Sequence, residues 1–376
     1  MRAMELHQAL IGRQGSRAAL NTPALVLELG ALERNIAAMA AFAMDAGLAL
    51  RPHAKTHKSV QIARRQIDAG AVGVCCAKLG EAEALADGGI ENILITSPVV
   101  GPAGVERLAA LAERCAGLMC AVDNPEALGA IVRSNARLKI IVDVDPGLHR
   151  TGAADAASAV ALARMAADAP SLSYVGVQFY CGSQQHIETY AGRREAIADR
   201  TRYLSGVLQA LRDAGLAPGI VTGGGTGSHR IDADLGVLTE LQVGSYVFMD
   251  REYADCELTD AGTSPFTTSL FVDARVISAS HAALVTVDAG LKAFATEAGA
   301  PPVVSGAPQG SVYRFMGDEH GAIIPPRGEA PPALGSVVTL AAPHCDPTVN
   351  LYEAFHVVDG HTLVDIWPVD GRGRSA

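Results

Sequence analysis

The sequence predicts an (α/β)8 barrel of the TIM type followed by a smaller all-β domain. From about residue 22 to 250, short β-branched runs alternate with Ala- and Leu-rich helical runs, many of which end at a glycine. Continuous apolar strands that alternate with helices are typical of a parallel sheet covered by helices. After about residue 255, short strands are separated by Gly and Pro turns, which indicates a separate β domain. The length of 376 residues suits this division, because α/β barrels take about 250 residues.

The first part contains nine strand-like runs, one more than an eight-stranded barrel requires. In chain order they are ALVLEL, LALRPHAK, VGVCCA, NILITSP, LMCAVD, KIIVDVD, YVGVQFY, GIVTGGG and LQVGSYVFM. We therefore expect the barrel to start at the strand that carries Lys55, which leaves the first strand, 24–29, to pack on the β domain. Helical runs such as LERNIAAMAAFAMDAG and ARRQIDAG connect the strands.

The predicted β domain contains the runs SLFVDARVIS, ALVTVDAG, SVVTLAAP, AFHVVDG and TLVDIWPV. The alternation of strand-like and helical runs ends in REYADCELTDAGTSP, a polar stretch rich in turn residues. The predicted domains are therefore 22–255 for the barrel and 256–376 for the β domain, and residues 1–21 are expected to join the second.

Composition and charge exclude several classes of protein. The chain is 49% hydrophobic and 19% charged, which supplies a sizeable core, and its net charge of −10 with dispersed basic residues disfavours nucleic acid and anionic membranes as partners. The first twenty residues lack the apolar centre of a signal peptide, and no stretch is long and apolar enough to span a bilayer. The seven cysteines show no paired framework. We expect a cytoplasmic globular protein.

Lys55 lies in RPHAKTHK, at the end of a predicted barrel strand, where barrel enzymes place functional residues. A lysine at a strand end is commonly a surface residue. However, a buried lysine among other cations has a lowered pKa and becomes a nucleophile toward carbonyl groups. Arg51, His53, His57 and Lys58 are the neighbours that could supply such a positive field.

A glycine-rich turn, TGGGTGS, follows a later strand and spans Thr222 to Ser228. Its glycines let backbone N–H groups approach an anion, although a tight loop without a ligand has the same composition. A second turn of small residues, Gly244-Ser245-Tyr246, ends the next strand. Two such turns at the last strands of a barrel form a recurrent phosphate site. A phosphate site and a Schiff-base lysine at one barrel mouth together indicate pyridoxal 5′-phosphate.

Two further residues follow barrel strands. Arg150 comes just after VDVDPG, and Tyr180 ends YVGVQFY. Arg150 is either a solvent-exposed loop residue or a contact to the cofactor ring, and Tyr180 either packs or faces the pyridine nitrogen.

His344 and Asp346 in PHCDPTVN form a candidate metal site in the β domain. On an extended chain, residues two apart point to one face, so we expect these two side chains together and Cys345 on the opposite face. A histidine and a carboxylate suit Mn²⁺, Mg²⁺ or Zn²⁺, although turn and cap roles are common for such residues.

These stretches together resemble the metal-dependent D-threonine aldolases, which have the alanine-racemase-like fold of pyridoxal-phosphate enzymes. The motifs run nearly from end to end and include TPALVLEL, RPHAKTHK, GVCCAKLGEAEALADGGI, VDVDPGLHRTG, TGGGTGS, ELQVGSYVFMD, VDAGLK, DEHG and HCDPTVNLYE. The resemblance implies an (α/β)8 barrel, a C-terminal β domain and a homodimer.

The resemblance also implies roles for individual residues. Lys55 would hold the cofactor as a Schiff base, and His186 would lie near the substrate hydroxyl. The other implied contacts are to the phosphate by Thr222, Gly224, Gly225, Thr226, Gly244, Ser245 and Tyr246, to the ring by Arg150 and Tyr180, and to the metal by His344 and Asp346. Cys181 departs from relatives that carry His or Gln at this position.

The implied reaction is the retro-aldol cleavage of a D-β-hydroxy-α-amino acid, such as D-threonine or D-allo-threonine, to glycine and an aldehyde. Mn²⁺ is the expected metal, with Mg²⁺, Co²⁺ and Zn²⁺ as alternatives. A D-serine or D-3-hydroxyaspartate dehydratase on the same scaffold is the main alternative, and such relatives tend to present His-x-Cys at the metal. An amino-acid racemase would have no use for His344 and Asp346, and a non-catalytic cofactor carrier would resemble the barrel alone.

Overall fold

The computed structural model describes residues 3–376, and its internal contacts divide the chain into two compact units. The β unit contains the residues up to Ile36, Ser245–Asp255 and Ser264–Arg372, and the barrel unit contains Ala37–Gly244, Cys256–Thr263 and Gly373–Ala376. The domain boundaries at 22–255 and 256–376 stay a prediction.

The first strand, β1 (Ala24–Glu28), lies in the sheet of the β unit. It pairs antiparallel with residues 270–273 and parallel with residues 356–358. The eight strands of the barrel unit therefore begin at the strand that precedes Lys55.

The barrel unit contains one sheet of eight parallel strands. They are β2 (Ala49–Leu50), β3 (Val74–Cys76), β4 (Ile93–Ile95), β5 (Met119–Val122), β6 (Leu138–Asp143), β7 (Leu172–Phe179), β8 (Ile220–Gly223) and β9 (Glu240–Leu241). Their order is β2-β9-β8-β7-β6-β5-β4-β3, and a parallel bridge between His53 and Cys75 joins the two ends of this order. All their carboxyl ends therefore lie at one edge of the sheet.

Helices follow most of these strands, as the alternating pattern predicts. In chain order the helices are α1 (Ala3–Leu6), α2 (Leu29–Asp45), α3 (Val60–Asp68), α4 (Leu79–Asp87), α5 (Pro102–Arg114), α6 (Pro125–Arg133), α7 (Ala156–Asp168), α8 (Tyr190–Asp213), α9 (His229–Leu235), α10 (Arg251–Ala254) and α11 (Cys345–Val349). Side-chain caps fix several starts: Asn124, Asp155 and Thr189 accept backbone N–H groups at the beginning of α6, α7 and α8. Among residues 3–376, no helix combines the length and apolar character that crossing a membrane requires.

The sheet of the β unit has nine strands, β1 among them. The others are β10 (Leu270–His281), β11 (Leu284–Val287), β12 (Val303–Ser305), β13 (Val312–Phe315), β14 (Gly321–Ile324), β15 (Val337–Ala341), β16 (Ala354–Asp359) and β17 (Thr362–Pro368). The main order is β13-β14-β11-β10-β1-β16-β17, and β15 pairs with both β10 and β12. The predicted fold class, a parallel barrel sheet with a second, mostly β domain, is confirmed.

A pair of buried histidines attaches the N-terminal segment to this sheet. The backbone N–H of Asn21 donates to Nε2 of His7 (2.9 Å), so the ring proton of His7 is on Nδ1, which donates to Nε2 of His356 (2.8 Å). Nδ1 of His356 then donates to the carbonyl oxygen of Leu25 (3.1 Å). Nε2 of His7 also lies 3.2 Å from Nδ2 of Asn21, so every ring nitrogen has a partner and both imidazoles are neutral in this arrangement.

This arrangement makes the folded state sensitive to acid. Burial, and then the neighbouring His7, lower the pKa of His356 to about 4 from its usual 6.5. In the unfolded chain His356 takes up a proton near pH 6.5, whereas in the folded chain it does so only near pH 4. The free energy of unfolding therefore falls as the pH drops from 6.5 to 4, by about 3 kcal/mol for this group. We expect His356→Gln to flatten the slope of stability against pH in this window, measured by urea unfolding at several pH values. His281→Gln, which removes an exposed imidazole, is the control, and equal slopes in wild type and His356→Gln would contradict the assignment.

Candidate active site

Lys55 lies in a short 3-10 turn, Ala54–Thr56, that follows the end of β2. The backbone N–H of His53 donates to Val243 beyond β9 (2.9 Å), so the turn is fixed to the neighbouring strand. Nδ1 of His53 accepts the backbone N–H of Lys55 (3.4 Å), and Nε2 faces Oγ1 of Thr96 (3.1 Å). His53 is therefore a cap that fixes the backbone of Lys55 at the carboxyl edge of the barrel sheet.

Two of the four residues expected to supply a positive field at Lys55 are paired with carboxylates. Arg51 forms a bidentate ion pair with Glu240 (2.9 and 3.0 Å), and Lys58 pairs with Glu81 (3.1 Å). Nδ1 of His57 accepts the backbone N–H of Ser59 (3.0 Å), just as Nδ1 of His53 accepts the backbone N–H of Lys55. Both histidines therefore use Nδ1 as a backbone acceptor, and the positive field at Lys55 stays a prediction.

The glycine-rich segment overlaps the end of β8, which contains Thr222 and Gly223, and its turn begins at Gly224. Gly224 has a left-handed backbone (φ +72°), and a Cβ there would lie 2.6 Å from Oδ2 of Asp232. A Cβ at Gly225 would lie 2.5 Å from Oε1 of Gln185. Only glycine lets the backbone approach these two buried side chains so closely, so the turn needs its glycines for packing as well as for any anion.

Hydrogen bonds behind the turn fix its shape. Ser228 Oγ accepts the N–H of Gly225 (3.1 Å) and donates to Asp232 Oδ2 (2.6 Å). Burial raises the pKa of Asp232 to about 7. Burial also lowers the pKa of His229 to about 4, and its Nδ1 faces the carbonyl oxygen of Thr226 (2.8 Å).

Thr222 lies inside the barrel, where a group of buried amides connects it to other strands. Gln242 Nε2 donates to Thr222 Oγ1 (3.1 Å) and to Gln178 Oε1 (3.3 Å). Gln178 Nε2 in turn donates to Thr96 O (3.0 Å) and to Asp143 Oδ1 (3.0 Å). The Thr222 hydroxyl is therefore held from the barrel side, and its predicted part in cofactor binding stays a prediction.

Arg150 is exposed and lies over the ring of Tyr180, with its guanidinium carbon 5.6 Å from the ring centre. The loop before it is fixed by Asp145, whose Oδ1 accepts the N–H groups of Gly147 (2.9 Å) and Leu148 (2.8 Å). The structure thus brings these two predicted ring-binding residues together at the ends of β6 and β7.

His186 and Cys181 flank the 3-10 turn Gly182–Gln184, which follows β7. His186 is exposed, whereas Cys181 is buried, and burial raises the pKa of its thiol to about 12. Cys181 is therefore a poor nucleophile, whereas the side chain of His186 is accessible to solvent.

Gly244 ends the barrel unit's chain segment, and the next two residues belong to the β unit. Ser245 and Tyr246 lie in the 3-10 turn Ser245–Val247 and are both buried. The Tyr246 ring packs against Phe266 with 5.7 Å between ring centres. The phosphate contacts predicted for these residues stay predictions.

The backbone around His344 differs from the predicted extended segment. His344 itself is extended (φ −137°, ψ 122°), but the helix α11 starts at Cys345 and contains Asp346 in its first turn. Proline at residue 347 suits the first turn of a helix, where its missing N–H costs no hydrogen bond. The alternation argument for placing His344 and Asp346 on one face is therefore wrong, although Cys345 is indeed buried.

Carboxylates surround His344 within the β unit. Its Nδ1 faces Oε1 of Glu297 (2.8 Å) and, further away, Oε2 of Glu252 (3.6 Å). Donor atoms of Asp250, Glu252 and His344 lie within 4.8 Å of one another, close enough to hold a metal ion. Asp250 is buried and accepts the N–H of Cys345 (3.0 Å), so it fixes the backbone next to His344.

Sequence reasoning missed several of these supporting residues. Ser228 and Asp232 are four apart at the start of α9, a spacing that brings side chains together on a helix, and this signal was available. Gln185 and Glu297 gave no local signal, because their partners lie 42 and 47 residues away in the chain.

The glycine turn gives a test of stability. We expect Gly224→Ala to lower the free energy of unfolding by about 3 kcal/mol or more, because it adds a left-handed backbone cost and a steric clash with Asp232. Gly236→Ala is the matched control: Gly236 is also left-handed (φ +65°) but has nothing within 4 Å of the added Cβ. It should cost about 1 kcal/mol. Equal losses in urea unfolding would show that the contact with Asp232 is unimportant.

Comparisons with known proteins agree with this architecture. The family profile described as alanine racemase, N-terminal domain, matches residues 27–252, and a serine dehydratase domain profile matches residues 269–358. The chain is 43% identical to a D-threonine aldolase from Arthrobacter sp over 95% of this chain and 94% of the relative. It is 36% identical to a 3-hydroxy-D-aspartate aldolase from Paracoccus denitrificans over 95% of this chain and 93% of the relative.

A solved structure is similarly close. The crystal structure of D-threonine aldolase from Filomicrobium marinum has a TM-score of 0.90 with 37% identity, and the match covers 96% of this chain and 97% of the other. The resemblance inferred from the motifs is thereby confirmed. The chain belongs to the D-threonine aldolase family of lyases, within the alanine-racemase-like fold.

Proposed function

We propose that this protein is a pyridoxal-phosphate- and divalent-metal-dependent lyase that cleaves a D-β-hydroxy-α-amino acid to glycine and an aldehyde. D-threonine, D-allo-threonine and D-3-hydroxyaspartate are the candidate substrates, since the relatives are a D-threonine aldolase and a 3-hydroxy-D-aspartate aldolase. The observation that carries the proposal is the capped Lys55 at the end of β2, at the same sheet edge as the glycine turn after β8.

The residues at this edge fit pyridoxal phosphate, which the family implies. Lys55 offers a primary amine for the aldehyde, the turn Gly224–Thr226 offers backbone around a phosphate, and Arg150 with Tyr180 offers contacts to the ring. We propose these roles, together with phosphate contacts from Thr222, Gly244, Ser245 and Tyr246. When bound, the cofactor accepts the electron pair released as the Cα–Cβ bond breaks.

We propose His344 and Asp346 as metal ligands, with Mn²⁺ as the preferred ion. Because Nδ1 of His344 faces Glu297 at 2.8 Å, the carboxylate fixes the ring proton on Nδ1. Nε2 is then the nitrogen that can bind a cation. A divalent cation at this position supplies Lewis acidity toward the substrate's β-hydroxyl group.

His186 is the proposed base for the β-hydroxyl proton. It is exposed, whereas the next residue toward the N-terminus, Gln185, is buried and anchored. An imidazole nitrogen of His186 takes the hydroxyl proton as the Cα–Cβ bond breaks, the aldehyde leaves, and Cα takes up a proton to give glycine.

A dehydratase is the second candidate, and the match of residues 269–358 to a serine dehydratase domain favours keeping it. Such an enzyme would release ammonia and a keto acid from the same substrate. The aspartate at position 346, where dehydratases tend to have cysteine, supports the aldolase.

A homodimer and a cytoplasmic location belong to the same proposal. The homodimer follows from the resemblance to the family. All seven cysteines are buried and form no disulfide, which suits a reducing compartment.

A product assay with D-threonine tests the function. We expect glycine and acetaldehyde from the purified protein, loss of activity after EDTA, and recovery with Mn²⁺. Lys55→Ala, the control, should give neither product. Ammonia and 2-oxobutanoate would move the assignment to the dehydratase, and full activity in EDTA would remove the metal from the proposal.

Glu297 gives a test of the metal site that does not depend on activity. We expect Glu297→Gln to weaken Mn²⁺ binding by about tenfold or more, because the ring of His344 loses its carboxylate partner. Glu329→Gln, which removes an exposed carboxylate elsewhere in the β unit, is the control and should leave the Mn²⁺ affinity within about twofold. Electron paramagnetic resonance of unbound Mn²⁺ measures both affinities. Equal effects from the two variants would contradict the role of Glu297.

A further inference from the structure

We propose that Gln185, together with Ser228, positions the glycine turn for the cofactor's phosphate group and connects that turn to the loop that carries His186. This inference rests on the proposed function and deepens it. Neither residue is expected to touch the reacting atoms, so both are positioning residues.

Gln185 is completely buried and uses both ends of its amide. Oε1 accepts the N–H of Gly227 (3.1 Å), while Nε2 donates to Ser228 Oγ (2.9 Å) and to the carbonyl oxygen of Cys181 (3.2 Å). One side chain therefore connects two residues of the turn to the start of the loop 181–189.

Ser228 completes this network. Its hydroxyl donates to Asp232 Oδ2 (2.6 Å), which leaves the oxygen's lone pairs to accept from Gln185 and from the N–H of Gly225 (3.1 Å). Each hydrogen bond of the network therefore has a defined donor and a defined acceptor. Oδ2 of Asp232 sets the orientation of the hydroxyl, and the hydroxyl oxygen sets the orientation of the Gly225 amide.

The network determines which backbone groups remain for an anion. The N–H groups of Gly225 and Gly227 point toward protein side chains. The proposed phosphate contact at Gly225 therefore cannot use its N–H, which Ser228 accepts, and the two internal hydrogen bonds fix the peptide planes that carry the other donors of the turn.

A second connection joins the same two segments. Arg193 is fully buried, its Nε donates to the carbonyl oxygen of Gly227 (2.7 Å), and its guanidinium also donates to the carbonyl of Ile187. Ile187 follows His186 directly. The position of His186 is therefore coupled to the phosphate turn through Gln185 on one side and Arg193 on the other.

Cofactor binding with and without the phosphate group tests the inference. Full-length protein freed of cofactor is titrated with pyridoxal 5′-phosphate and with pyridoxal, and dissociation constants are read from the absorbance of the bound cofactor. Gln185→Glu keeps the acceptor for Gly227 but removes the Nε2 donors and places a charge behind the turn. We expect it to weaken binding of pyridoxal 5′-phosphate by about tenfold or more, and to leave pyridoxal within about twofold.

The control is Gln184→Glu, the same change of charge at the adjacent, partly exposed residue, whose side chain accepts the hydroxyl of Ser183 in the described contacts. It should leave both affinities within about twofold. Ser228→Ala is the second variant and should act in the same direction as Gln185→Glu.

The outcomes separate this inference from the proposed function. An unchanged ratio of the two affinities in Gln185→Glu would overturn the positioning role, and so would a parallel loss of both, which indicates general damage to the fold. If the wild-type protein binds neither compound, the cofactor assignment itself fails. Selective loss for pyridoxal 5′-phosphate, with a normal Gln184→Glu, supports the inference.

Discussion

A buried ion pair between Arg51 and Glu240 lies where the barrel has its shortest strands. β2 and β9 each contribute two residues to the sheet, so few backbone hydrogen bonds join them. The bidentate contact, with side chains only 6% and 4% exposed, adds directional bonds across this seam. Desolvation offsets much of the Coulomb attraction of such a pair, but leaving one partner uncompensated is costly, so the two strands are restricted to this register. Lys55, four residues after Arg51, depends on it for its position.

The charged residues around Lys55 are engaged by other groups. Arg51 and Lys58 pair with carboxylates, and the histidines of RPHAKTHK accept backbone N–H groups. Their common role is to hold a tight turn in place after a short strand. The buried amides of Gln178 and Gln242 have a similar role inside the barrel, where they connect strands whose ends carry predicted cofactor contacts. Paired charges and side-chain hydrogen bonds therefore hold the residues of the barrel site in position.

The β unit uses carboxylates differently. Asp250 accepts a backbone N–H next to His344, and Glu297 faces the ring of His344 itself. One carboxylate orients the chain and the other orients the imidazole, so a ring nitrogen is presented in a defined tautomer. The same division holds behind the glycine turn, where Asp232 orients a hydroxyl that in turn orients an amide. In both places a carboxyl group acts through an intermediate group, although Asp232 is buried and Glu297 is exposed.

The sequence by itself determined the barrel and β architecture, the start of the barrel near Lys55, and the residues that follow its strands. These features come from local periodicity, from turn composition and from motifs, all of which a single chain segment contains. Only the tertiary structure decided that β1 pairs with β10 and β16, that Gln185 binds the glycine turn and that Glu297 faces His344. It also replaced the extended segment expected at Asp346 with a helix. The physical reason is distance along the chain: hydrogen bonds between residues more than forty positions apart depend on how strands and loops pack, and no local pattern encodes them.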